Sequence, residues 1–107
     1  MMNMNDLIDK IEKVVSALMR YDMEEFALQA QDLVDNMVSF FPIIISYYSE
    51  PKMEDVKEDA LYWPGQLERI IRALESPDRI ETVDVLYNET YPNLVELRDM
   101  LTERGIL

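Results

Sequence analysis

The chain has no cysteine, no histidine, and only two glycines in 107 residues. No disulfide can form, and zinc or thiolate sites built from Cys and His are ruled out. Nucleophilic machinery that relies on an imidazole is excluded as well. So are di-iron carboxylate bundles, which take a Glu-x-x-His pair from each of two helices. Positive charge is also scarce: 10 Lys plus Arg stand against 22 Asp plus Glu, for a net charge of -12. Phosphate backbones and anionic membrane surfaces are gripped by clustered Lys and Arg, so neither nucleic acid nor membrane is an expected partner. The longest apolar run, Phe40 to Ile45, is broken by Pro42 and falls far short of the roughly twenty residues a membrane span needs. The opening residues carry no basic segment and no small-residue cleavage site, so the expectation is a cytoplasmic protein without a signal peptide.

With so little glycine and no sustained period-two alternation, the helical period dominates. Met4, Leu7, Ile11, Val14 and Leu18 step by three and four. So do Phe26, Ala30, Leu33, Met37, Phe40, Ile44 and Tyr47. A third series runs Met53, Val56, Ala60, Trp63, Leu67, Ile70 and Leu74. The fourth runs Ile80, Val83, Tyr87, Leu94, Leu97 and Leu101, with Thr90 in its gap. That spacing is the seam of antiparallel bundle packing. Asp22 with Glu25 and Asp78 with Glu81 read as capping boxes, Pro51 suits a first helical turn, and Gly105 suits a helix stop. The reading is all-α: residues 1–107 as one up-down-up-down four-helix bundle of two αα-hairpins, with helices near 4–20, 22–48, 51–75 and 78–104.

Pro42, Pro64 and Pro92 lie inside those helices, where each removes a hydrogen bond at a cost of about 3 kcal/mol. The phase of the seam is unchanged across each, which predicts kinks rather than loops, with Pro64-Gly65 the best place for a true break. A shift of 56 residues lays Ile11–Asp22 over Leu67–Asp78, matching Glu12/Glu68, Ala17/Ala73, Leu18/Leu74 and Asp22/Asp78. Coincidence accounts for this as well as duplication or shared hairpin geometry does.

The stretch from Gln66 to Leu101, through Arg-Ala-Leu74-Glu-x-x-Asp78 and the Pro92 helix, resembles small bacterial helical-bundle proteins without assigned activity. More distantly, the whole pattern is similar to flagellar export chaperones. The resemblance carries over no catalytic residue and implies a binding protein.

Helix lengths suggest where a partner would sit. At 1.5 Å per residue helix 1 spans roughly 25 Å and helices 2 and 4 about 40 Å, so helix 1 runs out opposite about residue 38. Beyond that level lies an apolar, aromatic-rich end. Phe40, Phe41, Ile44, Ile45, Tyr48, Trp63 and Tyr91 are the candidate partner-binding residues, with Phe41, Ile44 and Trp63 as anchors and acids at the rim. Consecutive helical residues stand 100° apart, so one core face cannot hold Ile43, Ile44 and Ile45 together. A folded-back N-terminus (Met1, Met2, Met4), a second copy or a foreign helix could cover the remainder. Met37, Met53 and Met100 are either gap fillers or an adaptable surface.

The expected function is therefore a non-catalytic protein-binding module, chaperone- or adaptor-like, with no cofactor and no metal site. One alternative is a homodimer through the same patch. Another is an all-helical, magnesium-dependent nucleotide pyrophosphatase using acid pairs such as Asp32/Asp35, Asp55/Glu58, Glu81/Asp84 and Glu96/Asp99. Charge swept onto exposed helix faces produces such pairs without any metal.

Overall fold

A computed structural model describes residues 3–107 and is helical throughout, with no strand among them. Helix α1 spans Met4–Met19 and α2 Met23–Tyr47. A 3-10 helix over Pro51–Leu61 runs directly into α3, Tyr62–Glu75. The last rod begins as α4, Arg79–Val83, widens into a π-helical segment over Asp84–Thr90, and finishes as α5, Tyr91–Glu103. The four rods occupy the predicted ranges to within a few residues. Each packs on the next and the fourth returns to the first, closing a four-helix ring 44 Å long and 24 by 21 Å across.

Neighbouring rods are antiparallel, as their polar ties record. Lys10 pairs with Asp32 at 2.6 Å, and the Tyr91 hydroxyl donates to Glu12 at 2.6 Å. Arg69 forks onto Glu89, and Arg104 onto Asp55. Buried apolar residues from all four rods form one connected cluster, from Met4 and Leu7 to Leu97 and Leu101. α1 is amphipathic enough to bury Leu7, Ile11 and Val14 completely while its opposite face stays wet.

The caps follow the sequence in part. Asp22 accepts from the Glu25 amide at 3.1 Å, and Asp78 from the Ile80 amide at 3.0 Å. The return half of each box is missing, since Glu81 accepts from the Ser76 hydroxyl instead. A complete box forms at Asn3, whose side chain and backbone exchange hydrogen bonds with Asp6 at 2.9 and 3.0 Å.

None of the three prolines breaks its rod. α2 runs through Pro42 uninterrupted. Pro64 falls in the first turn of α3, where its fixed φ suits the helix, and the rod continues through it, so the expected break at Pro64-Gly65 does not occur. The change of helix type lies just before it, at Leu61–Tyr62. Pro92 sits just after the π segment, whose wider turns make room for a ring and an absent donor. Thr90 closes that segment by donating its hydroxyl to the Val85 carbonyl at 2.7 Å, and it accepts from Gln66 at 2.8 Å. Both polar side chains are buried, so the gap in the fourth apolar series is filled by a satisfied pair that locks two rods in register.

Candidate functional site

The sequence placed a groove at the end beyond residue 38 of α2, and the structure closes that end. Phe40, Phe41, Ile44 and Trp63 are no more than 3% exposed and Tyr48 is 8% exposed. Ile45 and Tyr91 are half-buried. The proposed anchors Phe41, Ile44 and Trp63 are therefore core, with Phe41 and Trp63 meeting edge-on at 5.5 Å. Helix length misplaced the groove because it weighs only α1 as cover. α2 lies between two rods, so a wide arc of it is buried. The third rod is stretched here, since a 3-10 helix rises about 2.0 Å per residue against about 1.5 Å for an α-helix. Arg104 ties the last rod to it through the Lys52 carbonyl at 2.8 Å and through Asp55. After Gly105 the chain turns back and Ile106 packs on the core.

The three consecutive isoleucines do part as their 100° spacing requires. Ile43 is exposed, Ile44 buried and Ile45 half-buried. Of the suggested cover, Met4 is buried, whereas Met1 and Met2 lie outside the described residues. Met37 and Met53 are fully buried and so belong to the packing, not to a surface.

Three of the seven candidates reach a concavity: Tyr91 borders an open one along α5, and Tyr48 and Trp63 share a second. A cleft of about 220 Å³ opens between α5 and the junction of the 3-10 helix with α3, lined by Tyr48, Asp59, Tyr62, Trp63, Asn93, Glu96, Leu97 and Met100. Its floor is a hydrogen-bonded aromatic pair: the Trp63 indole N–H donates to the Tyr48 hydroxyl at 3.0 Å. Tyr62 stands edge-on to Trp63 at 4.9 Å and accepts from Asn93 at 2.7 Å. Burial, with the Asp59 and Glu96 charges behind it, holds the Tyr48 phenol above its usual range against the opposing indole bond. Burial likewise raises Tyr62, against its bond from Asn93.

Leu61, at 82%, and Leu28, at 64%, are exposed singly, but four other well-exposed apolar side chains gather at the opposite end, around the two turns that join α1 to α2 and α3 to α4. Ile80 is 74% exposed, Tyr21 69%, Met19 62% and Met23 56%. Ile80 was expected in the fourth apolar series, but it starts α4 just past the end of the core. It forms a ridge with a shallow concavity on each side. One is lined by Met19, Tyr21, Arg79 and Val83, the other by Leu18, Met23, Phe26 and Pro77.

Tyr21 is held unusually. Its φ of 59° is the only positive value on a non-glycine residue among those described. The Asp22 amide reaches the Ala17 carbonyl at 3.0 Å and the Tyr21 amide reaches Leu18 at 3.1 Å, the bonding of a Schellman C-cap. That left-handed position normally takes glycine, and an L-residue there costs roughly 1–2 kcal/mol. The Arg79 guanidinium lies 4.0 Å above the Tyr21 ring and links the two turns. A bulky aromatic at a helix C-cap, flanked by methionines outside the apolar series, was the available sequence signal.

The acid pairs do not assemble a metal site: Asp32, Asp55 and Asp99 are in ion pairs, and no three acidic side chains among the described residues are grouped to hold a metal ion. Among the described residues no helix is long and apolar enough to cross a membrane. No family model, curated protein or solved structure matches the chain.

Proposed function

We propose that the protein is a non-catalytic protein-binding module that docks a partner on the turn end, with Ile80 and Tyr21 as the apolar anchors. The observation that carries this reading is Tyr21, a large aromatic kept in solvent in a backbone conformation that favours glycine. Packing does not require it there, and residues held in sparsely populated conformations cluster at functional sites. Met19 and Met23 flank it with flexible, polarizable surface that adapts to a partner. Contiguous exposed apolar surface of this kind marks interaction sites. The partner that fits is basic. Asp22, Glu24, Glu25, Asp78, Glu81 and Asp84 outnumber Arg20 and Arg79 around the patch, and the whole chain carries a net charge of -12, which steers a cationic surface inward and opposes a second copy of itself.

The test compares immobilised wild type with Ile80→Glu and with Val38→Glu, a control at an exposed residue of α2. A partner retained by wild type and by Val38→Glu, lost with Ile80→Glu, and then bound by wild type as a purified protein supports the reading. Capture that is indifferent to Ile80→Glu removes the site. A dimeric mass for wild type by light scattering that becomes monomeric in Ile80→Glu would make the patch a self-interface.

A further inference from the structure

The cleft at Tyr48 and Trp63 has a chemistry of its own. Its walls are apolar and aromatic, its rim carries two carboxylates, and neither carboxylate is in an ion pair among the described residues. Asn93, Glu96, Leu97 and Met100 are spaced to form one stripe of α5. Asp59 and Tyr62 are three apart at the end of a 3-10 helix, where side chains at that spacing stand one above the other. The fold therefore sets a carboxylate beside apolar surface on both walls. On the floor the Tyr48 hydroxyl uses a lone pair on the indole N–H, leaving its own proton free to turn towards the opening. At about 220 Å³ the cleft is smaller than the roughly 300–1,000 Å³ of small-molecule pockets, a size suited to one side chain or a small amine.

We propose that this cleft binds an alkylated organic cation, an ammonium or guanidinium on a short apolar stem, with the head between Asp59 and Glu96 and the stem along Tyr62, Leu97 and Met100. A metal ion fits less well, since two rim carboxylates offer few of the six to eight oxygens that calcium takes and the walls are apolar. The stem gives the apolar walls something to bury, and the head answers the unpaired charge.

Trp63 is the only tryptophan, so its emission reads the cleft directly in the full-length chain. The probes are butylguanidinium and butylammonium chloride, titrated at constant ionic strength against neutral butyramide. Both cations should change the emission saturably at millimolar concentration while butyramide does not. In Asp59→Asn/Glu96→Gln the response should weaken by about tenfold or more, corresponding to at least about 1.4 kcal/mol, with helicity unchanged. Both substitutions lie at exposed positions, so the variant should remain folded. An acetylated, amidated Gly-Arg-Gly peptide that binds more tightly than butylguanidinium identifies a protein side chain as the natural occupant, and equal binding identifies a free amine. A response no larger than that to sodium chloride, or one retained in the double variant, overturns the proposal.

Discussion

The two ends of this bundle handle large apolar side chains in opposite ways, although each turns its chain with the same device. At the end holding residues 40–53 and the C-terminus, the last rod stops in a Schellman cap with Gly105 at the left-handed position, φ 73°. Its Ile106 amide bonds to the Leu101 carbonyl at 2.9 Å, and Ile106 folds onto the core. At the other end α1 stops in the same motif, but Tyr21 takes the glycine's place and Asp22 takes that of the apolar residue that follows. Asp22 cannot bury itself, so it caps α2, while Tyr21 and its neighbours stay in water. One cap seals an end, and the other leaves apolar surface outside. The difference separates residues selected for packing from residues whose conformation packing does not explain.

The contrast breaks most visibly on substitution of Phe41. It is 2% exposed and packed edge-on against Trp63, so Phe41→Ala should cost about 3–5 kcal/mol in urea unfolding. Ile80→Glu, at the exposed end, should stay within about 0.5 kcal/mol of wild type. Equal losses from the two would mean that the ends are not different in kind.

The same contrast shows how far residue patterns reach. The period of three and four located the four rods because burying one stripe of each is the largest stabilising term a bundle of this size has. The unchanged phase across Pro42 and Pro92 correctly implied continuous rods. The 3-10 and π segments were not visible, because they depend on how neighbouring rods accept a missing donor, and Thr90 shows its role only once Gln66 is opposite. The groove was misplaced for a related reason: the exposure of Phe40 or Trp63 is a property of two flanking rods, not of one helix's length. The turn end was overlooked because Met19, Tyr21 and Met23 lie outside any apolar series. Departure from the pattern was itself the signal.

A smaller effect separates the two caps. Gly105→Ala places a Cβ 3.3 Å from the Lys52 Nζ and imposes a left-handed conformation on an L-residue, so it should destabilise by about 1 kcal/mol or somewhat more. Tyr21→Gly relieves a strain of the same origin but forfeits the Arg79 contact, worth about 0.5–1 kcal/mol at an exposed site. These offset, and thermal unfolding should change little. If Tyr21→Gly instead destabilises as much as Gly105→Ala, the tyrosine is structural and the docking reading loses its support.

The smallest effect concerns the tie that fastens the sealed end. The Arg104 guanidinium beside Asp55 holds that carboxyl below its ordinary range, through the hydrogen bond first and the charge second. A carboxylate whose folded value is depressed stabilises the fold above its unfolded value near 3.8 and loses that contribution as pH falls through the folded one. Asp55→Asn removes the charge while leaving Arg104 its bond to the Lys52 carbonyl. Wild type should therefore be the more stable protein at neutral pH by a small margin, since the pair is solvent-exposed and screened. The two unfolding curves should converge as pH falls through the depressed folded value of Asp55, where a protonated aspartate and the asparagine that replaces it are close to isosteric. A difference for Asp55→Asn that survives into acid would show that packing of the side chain, not its charge, holds the third and fourth rods together at this end.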